Sequence, residues 1–394
     1  MNRLFSLLVL VFTLFVASFN AVAQEEHTAP AEATHAVHEG EEAKESLNIK
    51  KIIFDHVGDA HEWHFMTIGH THVTAPLPVI LYSPSNGLSV FSSSRFGHEG
   101  HREVVDGQYI LVDDHYKESL IASGSDAAKV EKIKNGSIVT VDGSPVYDFS
   151  MTKNVVSMLI SVVLLLWIML GVAKKYKQRG TQAPTGFQNA LEPVITFVRD
   201  EVAVPNLGYK ADRFMPLLLT FFFFIWINNL LGLIPGGANF TGNIAVTACL
   251  ALITFIVMVV RANGHFWGHL LNPPGVPFGI KLLLVPIEII SLFIKPVALT
   301  IRLFANILAG HIIILSIVCM IFIFGAMSPV AGWGFAPVSV GFSIFMFCLE
   351  LLVGAIQAFI FTTLTAVFIG QAVDEGHGHD DGQHYHTSEN EIIL

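Results

Sequence analysis

Charge is what this sequence has least of. Only 14% of its 394 residues are Asp, Glu, Lys or Arg, against about 25% in an ordinary soluble domain. The shortage falls mainly after Met151, where long runs carry no charge at all. That half of the chain therefore does not read as a water-soluble fold. Basic residues are also outnumbered, 22 Lys/Arg against 32 Asp/Glu for a net charge of −10, and no basic patch occurs, which excludes nucleic-acid binding. There are three cysteines, Cys249, Cys319 and Cys348, without CxxC spacing. A disulfide framework and a thiolate metal site are thus excluded, and all three are expected to be small buried hydrophobes. No internal repeat is found.

What is present divides into four parts. Residues 1–23 contain Arg3, an apolar run from Leu4 to about Val16, and Ala21-Val22-Ala23. This is the pattern of a secretory signal peptide with cleavage before Gln24. It predicts an extracytoplasmic region at 24–150, with 9 Lys/Arg and 20 Asp/Glu. Its first part, 25–48, is rich in Ala, Glu and His without an apolar period and reads as a disordered linker. From Ile49 to Phe149 short apolar patches alternate with turn signals, predicting a small β-rich region. A membrane domain at 151–373 and a His- and acid-rich tail at 374–394 complete the chain.

Residues 155–173 form an apolar run of the length that crosses about 30 Å of hydrocarbon. Seven Lys/Arg lie in 174–213, which makes that stretch cytoplasmic by the positive-inside rule. Within it, Phe187–Arg199 reads as an interfacial amphipathic helix broken by Pro193. Residues 214–234 then cross outward and 244–260 inward. The final apolar block is expected to break at 325–337 and resume from Val338 to Val373. The turns assigned to the outside contain no Lys or Arg. Residues 278–324 are long enough for one steeply tilted helix or for two upright ones, and hydropathy does not choose between them.

Several ionisable groups lie inside these runs. Glu288, Lys295 and Arg302 recur every seven residues. On a helix that is only about 20° short of two turns, so they share one stripe, with Asn306 one turn beyond. Glu350 and Gln357 repeat the spacing in the last span. Such groups face a bundle interior or an aqueous path. An arginine costs at least about 2.5–3.5 kcal/mol at a bilayer centre, and Arg302 has no acid at i±3 or i±4 to offset it. His311 lies about 13 Å outward of Arg302, and Glu350 about 10 Å outward of Gln357 on an antiparallel helix. An antiparallel hairpin would pair His311 with Glu350 and bring Arg302 near Gln357, with Glu288 about 21 Å inward.

"SLFIKPVALTIRLFANILAGH" and "AIQAFIFTTLTAVFI" resemble subunit a of the rotary ATP synthase membrane sector. "GFQNALEPVITFVRDEV" and "NNLLGLIPGG" agree, and the likeness runs from about Phe187 to Ala372. The resemblance implies an all-α polytopic membrane protein of five transmembrane helices plus one interfacial amphipathic helix, the last two spans forming a long tilted hairpin. It implies proton transport, with partners in the c-ring proteolipids, the subunit b stator, the remaining ATP synthase subunits and the lipid membrane, and with no cofactor. Arg302 matches the essential arginine facing the ring carboxylates, and Asn306 and Gln357 its polar neighbours. His311 and Glu350 match the outer half-channel pair, and Glu288 the inner half-channel carboxylate. Lys295 stands as a structural or pathway residue. A cysteine at Ile307 would, on this reading, cross-link to the ring.

Two other classes were weighed. An ion-coupled secondary transporter should show internal repeats, which are lacking. A membrane-anchored metal-binding protein would rest on eleven histidines in 24–150, among them "HEWH" and "GHTH", and on "HGHDDGQHYH". HEWH lacks the H-E-x-x-H spacing, so no metal site is assigned.

Overall fold

The computed structural model describes residues 58–374, apart from short stretches at 69–70, 85–86, 98–102, 123–129, 131–132, 134, 142–143, 180–185, 235–236, 238–239 and 274. The segments expected to form a signal peptide at 1–23 and a disordered linker at 25–48, and all but the first residue of the expected tail, lie outside these.

The first part is built of short antiparallel strands. These are β1 (Glu62–Ile68), β2 (Thr71–Pro76), β3 (Pro78–Ser83), β4 (Gly87–Ser92), β5 (Tyr109–Leu111), β6 (Ile138–Thr140) and β7 (Tyr147–Asp148), with one helix, α1 (Asp114–Ala122). They form three small sheets, β1-β2, β4-β3-β7 and β5-β6. Val79 and Leu81 of β3 turn one face inward, where they meet Phe91, Phe96, Tyr109, Leu111 and Ile138.

A partly buried ion pair closes this unit. His61 Nε2 lies 2.7 Å from Asp148 Oδ2, and the Ser150 amide donates to Asp148 Oδ1 at 2.8 Å. Burial pushes the Asp148 carboxyl up, but the hydrogen bond and charge of His61 and the bonds from Ser150 outweigh it, and the group is held below the usual carboxylate range. Its contribution to stability is complete above the unfolded value of about 3.9 and is lost as pH falls through the lower folded value. Acidification below about pH 4 should therefore loosen β3 and β7. Asp148→Asn should cost about 2 kcal/mol and flatten that pH dependence. Hydrogen-exchange protection factors of the β3 amides in the full chain read both effects, and an undiminished acid response in the variant would clear the pair of this role.

The second part is helical. In order come α2 (Lys153–Arg179), α3 (Phe187–Phe197), a π-helical turn (Val198–Ala203), α4 (Val204–Leu207), α5 (Ala211–Gly232), α6 (Ile244–Arg261), α7 (Gly264–Leu271), α8 (Phe278–Met327) and α9 (Pro329–Val373). Among the described residues five helical stretches are long and apolar enough to cross a membrane: Lys153–Gln178, Phe187–Gly232, Ile244–Arg261, Gly279–Met327 and Pro329–Val373. Residues 278–324 thus lie in one helix of 50 residues rather than two.

Three details differ from the sequence expectation. Pro193 sits inside α3 without breaking it; a proline there removes one backbone donor, and the turns around it persist. The break expected at 325–337 is confined to Ser328, the extended residue between α8 and α9. Gly332 makes that tight reversal feasible, because a Cβ there would stand 2.7 Å from the Gly325 Cα. Cys249 and Cys319 are buried, but Cys348 is exposed, since it falls on the outward face of α9.

The phenylalanine-rich α5 is the centre of the bundle. Phe221 to Ile225 are all buried, against Ala358, Phe361 and Ile369 of α9 and Leu299 and Leu303 of α8. Between apolar helices in hydrocarbon, close packing and polar bonds replace the hydrophobic effect. Glycines allow that approach here: a Cβ at Gly354 would lie 3.2 Å from Asn229 Cβ, and one at Gly370 2.2 Å from the Asn206 carbonyl oxygen. Asn229 uses the gap, donating to the Gly354 carbonyl at 3.0 Å and accepting from Thr241 at 3.0 Å.

Candidate functional site

The long antiparallel hairpin of α8 and α9 carries every polar group singled out in the sequence. His311 and Glu350 meet: His311 Nδ1 stands 2.6 Å from Glu350 Oε1. Glu350 is 5% exposed. Two features create its room. Gly310 has no side chain, and a Cβ there would lie 2.7 Å from Glu350 Oε1. On the far side of the imidazole, Nε2 lies 3.1 Å from the Gly232 carbonyl. Gly232 ends α5, so that carbonyl has no partner in its own helix.

This arrangement has a chemical consequence. A carbonyl oxygen only accepts, and each ring nitrogen faces one: Gly232 at 3.1 Å from Nε2 and Ile307 at 3.2 Å from Nδ1, so both contacts call for a hydrogen on the ring. Nδ1 is shared between the Ile307 carbonyl and Glu350 Oε1, and its 2.6 Å approach to the carboxylate is a close charge contact rather than an aligned hydrogen bond. An imidazole and a carboxyl at this distance can exchange one proton without moving a backbone atom. Neither Glu350 oxygen has an aligned hydrogen-bond partner among the described residues.

One turn inward along α8, Asn306 donates to Gln357 Oε1 at 3.1 Å. Gln357 is 1% exposed, and its amide nitrogen is left without a partner. The depth-matching of the sequence expected Arg302 near Gln357; the residue bonded to Gln357 is Asn306, one helical turn from Arg302 on α8.

Arg302 is exposed, as are Ile301, Ala305 and Asn306. It has no hydrogen bond or ion pair among the described residues. Ile307, expected to face the same way, is 3% exposed and points into the bundle, because five residues turn a helix by about 500° and carry it off the Arg302 face.

The stripe from Glu288 to Arg302 does not act as one surface. Lys295 leaves it, donating to Gln371 Oε1 at 2.8 Å and lying 5.2 Å from the Phe368 ring. Glu288 is half-buried, with Oε2 shielded and without a partner. Gly310, the Gly232 carbonyl, Asn229 and Gln371 were not singled out from the sequence. Glycines and amides within apolar runs were the available signal, since such residues gather where membrane helices touch.

A multi-pass membrane protein with ionisable groups buried between its two longest helices is the class these features define. A family model for the ATP synthase A chain matches residues 155–370, more than half of the chain. Another, described as a domain of unknown function, matches residues 52–149. Among curated relatives, ATP synthase subunit a of Chloroherpeton thalassium is 47% identical over 245 residues, covering 59% of this chain and 71% of the relative. Those of two Chlorobium phaeobacteroides strains are similar: BS1 is 45% identical over 238 residues (59% of this chain, 68% of the relative) and DSM 266 is 41% identical over 295 (73% and 82%). The chain belongs to the ATP synthase subunit a family.

Proposed function

We propose that this chain is the stator half of a rotary proton motor, with no hydrolytic chemistry of its own. Residues 24–150 lie outside the cytoplasm after removal of a signal peptide at 1–23, residues 151–373 span the inner membrane, and the tail at 374–394 is cytoplasmic. The absence of Lys and Arg from the turns assigned to the outside supports that orientation. Phe187–Phe197, with Gln188 and Leu191 buried and Phe187 and Phe197 exposed, serves as the interfacial amphipathic helix. A subunit b stator and a ring of proteolipid c subunits complete the membrane sector.

Protons enter from outside through His311 and Glu350 and load a ring carboxylate. The neutral carboxyl turns through lipid, where a charged one could not go without a large desolvation cost. On the cytoplasmic side it discharges past Glu288. Arg302 attracts each ring site as it loses its proton and favours the charged form. Its fixed charge also keeps the two half-paths from joining, while Asn306 and Gln357 hold the polar ground between them. Each proton brings about 2.3 kcal/mol per 100 mV of membrane potential.

The observation carrying this reading is Arg302 itself, exposed on the hairpin without a partner among the described residues and one turn from a polar pair. Lys295, tied to Gln371, stays outside the path. Inverted vesicles test the inner branch: Glu288→Gln should slow ATP-driven acidification several-fold, whereas Lys295→Met should leave most of it. The reverse order would remove Glu288 from the path and put Lys295 in it.

A further inference from the structure

The sheet β4-β3-β7 is apolar on both faces. In an antiparallel sheet one face packs on the core and the other is ordinarily polar. Here "PVILYS" and "GLSVFS" carry apolar residues on both sides. Val79, Leu81 and Phe91 fill the core. On the opposite side, Leu88 is 67% exposed, Val90 63%, Tyr147 49% and Tyr82 45%. These side chains form one patch: Tyr82 pairs across the sheet with both Leu88 and Tyr147, and Ile80 with Val90. The Tyr82 and Tyr147 rings are 6.3 Å apart. Among the described residues no charged side chain interrupts it, since Asp148 turns inward to His61.

The patch continues along the chain towards α2. Tyr147, Phe149 and Met151 are exposed in alternation, while Asp148 and Ser150 turn away. Backbone bonds hold this stretch to the sheet, from the Phe149 amide to the Ile80 carbonyl at 2.9 Å and from Met151 to Pro78 at 3.1 Å. The Lys153 amide then donates to the Ala60 carbonyl at 2.9 Å, and Asn154 to Asp59 Oδ1 at 3.2 Å. The sheet is fastened to the start of the span, with no loose linker between. From Phe149 to Lys153 the chain reaches at most about 14 Å, so the sheet cannot stand far from the headgroup layer, about 5–8 Å deep on each side of the hydrocarbon core.

We propose that the outer face of this sheet is a membrane-docking surface, resting on the phospholipid headgroup layer where α2 enters the bilayer. Tyrosines with their hydroxyls in the wet layer and Leu88, Val90 and Phe149 against acyl carbon match the aromatic belt of interfacial proteins. An exposed apolar patch of this kind needs an occupant, and the lipid surface is the one its tether places within reach. Because the face carries no charge, docking should not respond to salt. The inference rests only on α2 spanning the membrane and is independent of the proton path.

The test uses the full chain in phosphatidylcholine vesicles, with Cys249, Cys319 and Cys348 replaced by Ser and a fluorescent label on Val90→Cys. A control label sits on Glu118→Cys, exposed on α1. The Val90 label should be quenched by lipids spin-labelled near the headgroup and protected several-fold from aqueous iodide relative to the control, at low and high salt alike. A label on Leu88→Cys should repeat the result. Iodide quenching equal to the control would overturn the proposal, as would protection from both quenchers, which would mean that protein, such as a second copy, covers the face.

Discussion

Arg302→Ala is expected to abolish ATP-driven proton pumping in inverted vesicles while leaving the ATPase activity of the soluble catalytic head. A guanidinium stays ionised at any working pH, and holding one at membrane depth costs at least about 2.5–3.5 kcal/mol. Lys295, also at membrane depth, has its own answer in Gln371, but Arg302 has none among the described residues. Under the proposed mechanism its counter-ion is a ring carboxylate arriving from another subunit. Removing the cation removes both the attraction that discharges each site and the barrier between the half-paths. Loss of coupling is therefore expected to be complete. Normal acidification by this variant would refute the assignment.

Glu350→Gln should reduce proton uptake about 100-fold, at the lower end of what a positioned proton-transfer group contributes. The amide keeps the shape and the burial but cannot exchange a proton with His311 Nδ1. A companion variant separates geometry from folding. In Gly310→Ala the new methyl meets the Glu350 side chain first, from Oε1 at 2.7 Å to Cγ at 3.2 Å, so that flexible side chain is what has to move. Uptake by this variant should fall about tenfold with little change in thermal stability. Passive proton conductance of vesicles stripped of the catalytic head measures both, and unchanged conductance in the glutamine variant would take Glu350 out of the path.

Much of the hairpin was legible because few charges survive in an apolar run without a reason. Matching depths on antiparallel helices brought His311 to Glu350, since 1.5 Å per residue is the same on both sides. The same arithmetic could not name Asn306 as the residue bonded to Gln357, because depth along an axis does not fix which way a side chain faces. Ile307 failed for that reason: only the packing of α8 on α5 and α9 decides which face is covered. Lys295 left its stripe because its long side chain reaches Gln371, a partner 76 positions on. Helix limits were least legible. A Gly/Pro-rich stretch such as 325–337 reads as a loop, but glycines also let two helices touch, and here they do so across a single extended residue. Asn229 and Gly354 lie 125 positions apart, and no local pattern joins them.

The central claim is that the face bearing Arg302 meets a rotor of small proteolipids. Cysteine cross-linking in membranes of the assembled enzyme tests it most directly, with Ala305→Cys on the exposed face and Ile307→Cys, at 3% exposure, as the internal control. The account predicts a disulfide from position 305 to a cysteine-bearing protein of about 8–10 kDa, the size of two spanning helices, and none from position 307. No cross-link from 305, or equal yields from both positions, would contradict it.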